Sequence, residues 1–212
     1  YEIKEFKTML NHGTIKDKAL FLLAASSGMR IDECLQLTEN MIDFKHEPCM
    51  INLPGNITKT GDPRITFCSD EAREYIQEWL KIRDDYLKQA IARTGHINKK
   101  YRNDNTLFPF KYNIAWTRWT YLIKKTGLDK RDPTTNRYVL HIHSLRKWFL
   151  SRMKLELKPV IPEALAGHEE YLDAEYKRYT KNELGEQYKK GMHLVTVFEN
   201  TPDLTEVNEE IS

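Results

Sequence analysis

Residues 16–37 read KDKALFLLAASSGMRIDECLQL, and this stretch does most to predict the fold. Its apolar residues recur at a spacing that predicts a helix over residues 16–27. The helix ends at the Ser-Ser-Gly sequence of residues 26–28. A short second helix is expected from Ile31 towards Leu37. Arg30 therefore lies at the junction of two helices, where Glu33 is close enough to orient its guanidinium by an ion pair.

Three more helices are expected further along the chain. Ser69 is a suitable N-cap, and apolar residues then recur at helical spacing as far as Ile91, which predicts the longest helix. The same periodicity predicts helices over residues 113–125 and 144–154. Most of the chain is therefore expected to be helical.

One β-hairpin is expected among these helices. Two short apolar runs, residues 50–53 and 64–67, flank a segment that contains Gly61 and Pro63, and this arrangement is typical of two strands joined by a turn. Lys59 lies near the tip of the hairpin. The predicted fold class is mainly α with a small antiparallel β-sheet, an α+β arrangement.

The composition excludes several classes of protein. The chain has 212 residues, 40% of them hydrophobic and 30% charged, which describes a globular protein with a full core. No apolar run approaches the roughly 18 residues that a membrane-spanning helix needs. The three cysteines, Cys34, Cys49 and Cys68, never form a C-x-x-C pair, so neither a disulfide framework nor a structural zinc site is expected, and a cytoplasmic location fits best.

The charge is unevenly distributed along the chain. The net charge of +2 is by itself a weak indication of nucleic-acid binding. However, residues 191–212 hold five acidic residues and no lysine or arginine, which leaves 33 cations against 26 anions in the rest of the chain. A moderately basic body with an acidic tail is compatible with DNA binding.

Three further motifs carry groups that could act in catalysis. His143 and Arg146 are three residues apart at the start of a predicted helix, so both side chains share one face. Residues 165–168, Leu-Ala-Gly-His, place His168 after a glycine that ends a short helix. Tyr176 and Tyr179 follow in a tyrosine-rich segment and would share a helix face.

The order Arg, Lys, His-x-x-Arg, Gly-His, Tyr resembles the catalytic domain of tyrosine recombinases, the phage integrase family, and most closely its archaeal members. The resemblance spans nearly the whole chain. The matching boxes are residues 28–33, 58–61, 143–146, 165–168 and 176–188. It implies the catalytic-domain fold of that family.

The resemblance also implies a set of catalytic residues: Arg30, Lys59, His143, Arg146, His168 and Tyr176. Tyr176 would be the nucleophile, with Tyr179 as second choice because the family places its tyrosine eight or nine residues after the Gly-His histidine. His143 would act as the base and Lys59 as the acid, while Glu33 would support Arg30. Neither a metal ion nor any other cofactor is implied.

The expected partner is double-stranded DNA, contacted through phosphates by Arg64 and by the loop residues Lys99, Lys100 and Arg102. Residues 1–190 are expected to form the catalytic domain, and residues 191–212 a β-prone, acidic tail that packs on the same chain or on a neighbouring subunit. The family's N-terminal DNA-binding domain is expected to be absent from this fragment. A homotetramer on two paired DNA sites, for integration or excision of a mobile element, is the family expectation.

Three alternatives stay open at this point. A metal-dependent nuclease could use His141 with His143 and His168. A catalytically inactive DNA-binding regulator could keep the same fold. A type IB topoisomerase would share the chemistry and relax supercoils without pairing two sites.

Overall fold

A computed structural model describes residues 2–94, 104–168 and 178–198 of the chain, and these are mostly helical with one three-stranded antiparallel sheet. The predicted fold class is therefore confirmed. None of the described helices is both long and apolar enough to cross a membrane. The three cysteines are free thiols, and all are buried.

The centre of the fold is helix α2 (Ile15–Ser27), which follows α1 (Ile3–Asn11). Thr14 begins α2 with a capping box, in which its hydroxyl accepts from the Asp17 N–H at 3.3 Å and the Asp17 carboxylate accepts from the Thr14 N–H at 3.0 Å. Nearly every residue of α2 is buried, because α4 (Asp70–Thr94) and α6 (Ser144–Met153) pack against it. Helix α1 was not predicted.

The sheet has the order β1–β2–β3 and is antiparallel throughout. Strands β2 (Met50–Leu53) and β3 (Arg64–Phe67) form the predicted hairpin, with Met50 opposite Phe67. Strand β1 (Ile42–Asp43) adds an edge that the sequence pattern did not indicate. Lys59 is exposed on the connection between β2 and β3, as predicted.

The remaining helices complete the layer around α2. Helix α3 (Ile31–Gln36) directly follows the α2 turn, α5 (Tyr112–Lys125) packs near α1 and α3, and α7 (Val160–Ala166) packs on α6 and β3. Helix α8 (Lys181–Met192) contacts α6 and β3. The buried Tyr188 of α8 donates its hydroxyl to the Ser26 carbonyl at 2.8 Å, which joins the last helix to the end of α2.

The described part of the predicted β-prone tail lies directly after α8. A 3-10 helix spans His193–Val195, and no strand follows it among the described residues. The Val197 and Phe198 N–H groups donate instead to the two carboxylate oxygens of Glu71, each at 2.7 Å. A side chain of α4 thus satisfies the backbone groups that a neighbouring strand would have satisfied, and residues 193–198 pack on their own chain.

Stability is expected to fall with rising pH because of Glu71. Burial raises the pKa of its carboxyl to about 7, although the Phe198 and Val197 N–H groups oppose this effect. The folded chain therefore binds this proton more tightly than the unfolded chain, so the stabilisation is complete below the ordinary value of 4.5 and is lost as pH rises through about 7. The free energy of unfolding should fall by up to about 3 kcal/mol over this pH range.

Urea unfolding at about pH 5 and about pH 8 measures this loss. Wild-type protein should lose more stability over that interval than Glu71→Gln, whose side chain does not titrate. Glu156→Gln, a change at an exposed position, should behave like the wild type. An equal loss of stability in wild type and Glu71→Gln would contradict the attribution of the pH dependence to Glu71.

Candidate functional site

Arg30 is held at the turn between α2 and α3. Gly28 ends α2 with φ +67°, and a Cβ at this position would lie 2.3 Å from the Phe149 ring, so the turn requires glycine. Arg30 then occupies the N-cap position of α3, where its N–H donates to the Glu33 carboxylate at 2.8 Å. Its Nη1 donates to Glu33 Oε1 at 3.2 Å, which confirms the predicted ion pair. The Arg30 side chain stays 24% exposed.

Glu33 is buried and shared between two arginines. Arg64 donates from Nη1 to Oε1 at 3.1 Å and from Nη2 to Oε2 at 2.7 Å, a bidentate pair. Burial by itself would raise the pKa of Glu33, but the contacts with Arg64 and then Arg30 outweigh it and hold the pKa below its ordinary value. Glu33 is therefore a carboxylate at neutral pH.

The predicted contact of Arg64 with DNA is corrected by this geometry. The Arg64 side chain is only 2% exposed, and its Nε donates to the Leu165 carbonyl at 3.3 Å. All its nitrogen atoms are thus committed inside the protein. Arg64 anchors Glu33, and through it Arg30, and does not reach a phosphate at the surface.

Arg146 projects from α6 towards the same turn. Its Nη1 donates to the Gly28 carbonyl at 2.8 Å and also to the Ala166 carbonyl at the end of α7. Its Nη2 is buried and has no hydrogen-bond partner among the described residues. Burial, and next the positive charge of Arg30, lower the pKa of Arg146 to about 10, so its guanidinium remains charged at neutral pH. Two neighbouring guanidinium groups can together hold an anion.

His168 follows a second glycine turn at the end of α7. Gly167 has φ +80°, and a Cβ there would lie 2.6 Å from Arg64 Nε, so only glycine fits against the buried arginine. The turn directs the His168 ring back to Glu163. The Oε2 of Glu163 is hydrogen-bonded to the Nδ1 of His168. Lys154 donates to the other oxygen of the same carboxylate.

His143 lies at the N-cap position of α6 and is exposed. The ring of Tyr112, at the start of α5, stacks on it with centroids 6.2 Å apart and planes 21° apart. The His141 ring lies 6.3 Å from His143, but among the described residues no group of three His, Cys, Asp or Glu side chains is arranged to hold a metal ion.

The predicted nucleophile and most of the predicted DNA contacts lie outside the described residues: Tyr176, Lys99, Lys100 and Arg102. Tyr179, the second choice, is described and half-buried. It lines a groove with Met41, Leu53 and Ile65 of the sheet region and packs against the core. That surrounding favours a packing role for Tyr179.

Sequence reasoning assigned Arg64 to DNA instead of to its anchoring role, and it missed the second anchor of the site, Glu163. Glu163 had a detectable signal, because it is the one charged residue in the apolar helix Val160–Ala166, and a carboxylate in such a helix needs cationic partners. Arg64 gave no such signal, since an arginine at a strand start after a turn is ordinarily exposed.

A model of the phage integrase family matches residues 2–183. Tyrosine recombinase XerA of Saccharolobus solfataricus is 25% identical to this chain over 179 residues, which cover 84% of this chain and 50% of that protein. The chain thus spans about half the length of the curated relative it matches. This relative agrees with the resemblance to archaeal members.

Solved structures of recombinases share the fold. The crystal structure of XerA recombinase superimposes with a TM-score of 0.56 at 18% identity, covering 88% of this chain and 61% of that one. XerH site-specific recombinase bound to difH substrate, in a pre-cleavage complex, gives a TM-score of 0.58 at 18% identity, covering 87% of this chain and 51% of that one. An integrase from mycobacterium phage Brujita gives a TM-score of 0.56 at 16% identity, covering 95% of this chain and 58% of that one.

The family match covers most of the chain. The chain belongs to the phage integrase family of tyrosine recombinases, and its fold is that of their catalytic domains.

Proposed function

We propose that the protein is a site-specific DNA recombinase that cuts and rejoins DNA strands through a covalent phosphotyrosyl intermediate. One observation carries the proposal: the buried Nη2 of Arg146 has no hydrogen-bond partner among the described residues, and Arg30 lies close enough to lower the pKa of Arg146. Two guanidinium groups are suited to the non-bridging oxygens of a phosphate as charge develops on them.

The proposed reaction begins with attack of the Tyr176 oxygen on phosphorus. A tyrosine with a pKa near 10 is ionised to only about 0.1% at pH 7, so its deprotonation costs about 4 kcal/mol without assistance. His143 would take that proton, His168 would hydrogen-bond the phosphate, and Lys59 would protonate the departing 5′ oxygen. The 3′-phosphotyrosyl bond retains the energy of the broken phosphodiester, so rejoining needs neither ATP nor a metal ion.

The proposed substrate is a pair of double-stranded DNA sites. The XerH recombinase is bound to its difH substrate in a pre-cleavage complex, which supports a recombination site as the partner of this fold. Lys99, Lys100 and Arg102 would contact phosphates, and four copies would assemble on two sites to integrate or excise a mobile element. Affinity that depends on phosphate contacts falls steeply as salt rises.

Covalent trapping tests the proposal. Duplexes that bind are first selected from a random pool, then nicked near the site of cleavage and incubated in EDTA with the wild type, Tyr176→Phe or Tyr179→Phe. A denaturing gel should show a 3′-linked protein–DNA adduct that is lost only in Tyr176→Phe, because phenylalanine removes the attacking oxygen. Tyr179→Phe is the matched control.

The other outcomes separate the alternatives. Loss of the adduct only in Tyr179→Phe would keep the mechanism and move the nucleophile. No adduct from wild type on DNA that it binds would indicate a regulator without catalytic activity. Cleavage that stops in EDTA would indicate a metal-dependent nuclease, and relaxation of single-site plasmids without strand exchange would indicate a topoisomerase.

A further inference from the structure

Glu163 is a buried carboxylate with no part in the reaction proposed above. Its side chain is 9% exposed, within a helix whose other residues are apolar or proline. One oxygen accepts from the Lys154 ammonium, at the end of α6, and the other contacts Nδ1 of His168. Glu163 therefore connects the helix that carries Arg146 to the imidazole that follows α7.

The backbone holds His168 in this contact. Both the Gly167 and the His168 N–H groups donate to the Glu163 carbonyl, at 3.0 and 3.1 Å. The left-handed turn at Gly167 closes against the buried Arg64, so the chain cannot shift there without disturbing the arginine. The Nδ1 edge of the ring faces Glu163, while the side chain as a whole stays 39% exposed.

The charge of Glu163 decides where the imidazole proton lies. Burial would raise the pKa of this carboxyl, but the bonds from Lys154 and His168 outweigh it and lower the pKa below its ordinary value. An ionised carboxylate only accepts hydrogen bonds, so Nδ1 must carry a proton. Nε2 is then the acceptor of a neutral ring or the second donor of an imidazolium.

We propose that Glu163, held by Lys154, is a positioning residue that keeps a proton on Nδ1 of His168, so that a second proton on Nε2 gives an imidazolium whose Nε2–H donates to a phosphate oxygen of the DNA. The inference rests on the proposed function, because it assigns His168 to the scissile phosphate. Carboxylates play the same orienting part beside histidines in metal sites and catalytic triads.

Glu163→Gln tests the proposal with little change of shape. An amide has one acceptor oxygen. Because the Lys154 ammonium can only donate, the ammonium hydrogen-bonds to that oxygen. The amide NH₂ then faces Nδ1, which must accept, and the proton of the neutral ring moves to Nε2. Nitrogen-15 NMR of the imidazole should show a protonated Nδ1 in the wild type and an unprotonated Nδ1 in Glu163→Gln. The His168→Ala spectrum assigns the signals.

Cleavage rates provide the second readout. Glu163→Gln should slow single-turnover cleavage about 10- to 100-fold at saturating DNA, the range seen when an orienting partner is removed. The cause is the lost charge: a ring whose Nδ1 accepts from the amide can donate from Nε2 only as a neutral imidazole. Glu156→Gln, an exposed change of the same kind, should cleave like the wild type. In a His168→Ala background, Glu163→Gln should cause no further loss, because its effect passes through the imidazole.

Three results would overturn the proposal: an unprotonated Nδ1 in the neutral wild-type ring, a Glu163→Gln variant as fast as wild type, or an equal loss in the His168→Ala background. A wild-type chain that cleaves no selected DNA would overturn the proposed function instead. The NMR comparison would then still support or overturn the proton assignment.

Discussion

Replacing Arg146 by lysine is expected to slow DNA strand cleavage by about 100- to 1,000-fold, the loss seen when a donor to a developing oxyanion is removed. Arg146 Nη1 is held by the Gly28 and Ala166 carbonyls, which leaves the buried Nη2 available to a phosphate oxygen. A lysine ammonium is a single point charge without a planar fork. It can satisfy the two carbonyls or the phosphate, but it cannot reproduce both sets of contacts.

Single-turnover adduct formation on selected DNA measures this loss, and thermal unfolding shows that the variant is folded. Arg152→Lys is the control on the same helix, where the guanidinium lies 5.9 Å from the centroid of the Trp148 ring. The control should cleave at nearly the wild-type rate. If Arg146→Lys kept the wild-type rate, the assignment of its Nη2 to the phosphate would be wrong.

Glu33→Gln is expected to destabilise the fold by about 3–5 kcal/mol, the cost of breaking a buried ion pair from one side. The Arg64 side chain, 2% exposed, would keep its charge and lose the carboxylate that takes two of its hydrogen bonds. Arg30 would lose its orienting partner at the same time, so cleavage should weaken as well.

Urea unfolding measures how much the Glu33–Arg64 ion pair contributes to the free energy of unfolding. The variants compared are Glu33→Gln, Arg64→Met and the double variant Glu33→Leu/Arg64→Met. The double variant should recover much of the stability, because an apolar pair leaves no charge uncompensated. It should not recover cleavage, since Arg30 remains without support. Glu39→Gln, an exposed change close in the chain, should be almost neutral. A Glu33→Gln variant as stable as wild type would contradict the buried-pair argument.

Local sequence patterns were sufficient for much of the fold. The apolar run before Gly28 predicted α2 and the turn that presents Arg30, and the two short runs around Gly61 predicted the hairpin of Lys59. These elements follow from periodicity and from glycine, which act over a few residues. The ion pair of Arg30 with Glu33 was predictable for the same reason, because helix geometry brings residues three apart together.

Contacts between distant segments were not predictable in this way. Residues 193–198 include no strand, and the Glu71 carboxylate of α4 accepts from the Val197 and Phe198 N–H groups. Strand β1 was missed because two residues are too short for any pattern. The Glu163 contact with His168 depends on the reversal of the chain at Gly167.

Two cations of one hairpin, Lys59 and Arg64, separate what local patterns predict from what depends on the packing of distant segments. The sequence alone determined that Lys59 stands in the turn and that Arg64 begins the second strand. Local rules treat both as exposed cations, yet Lys59 is exposed and Arg64 is buried beneath Gly167. The difference arises from long-range packing, because burial of a charge depends on a partner such as Glu33, which lies 31 residues away in the chain.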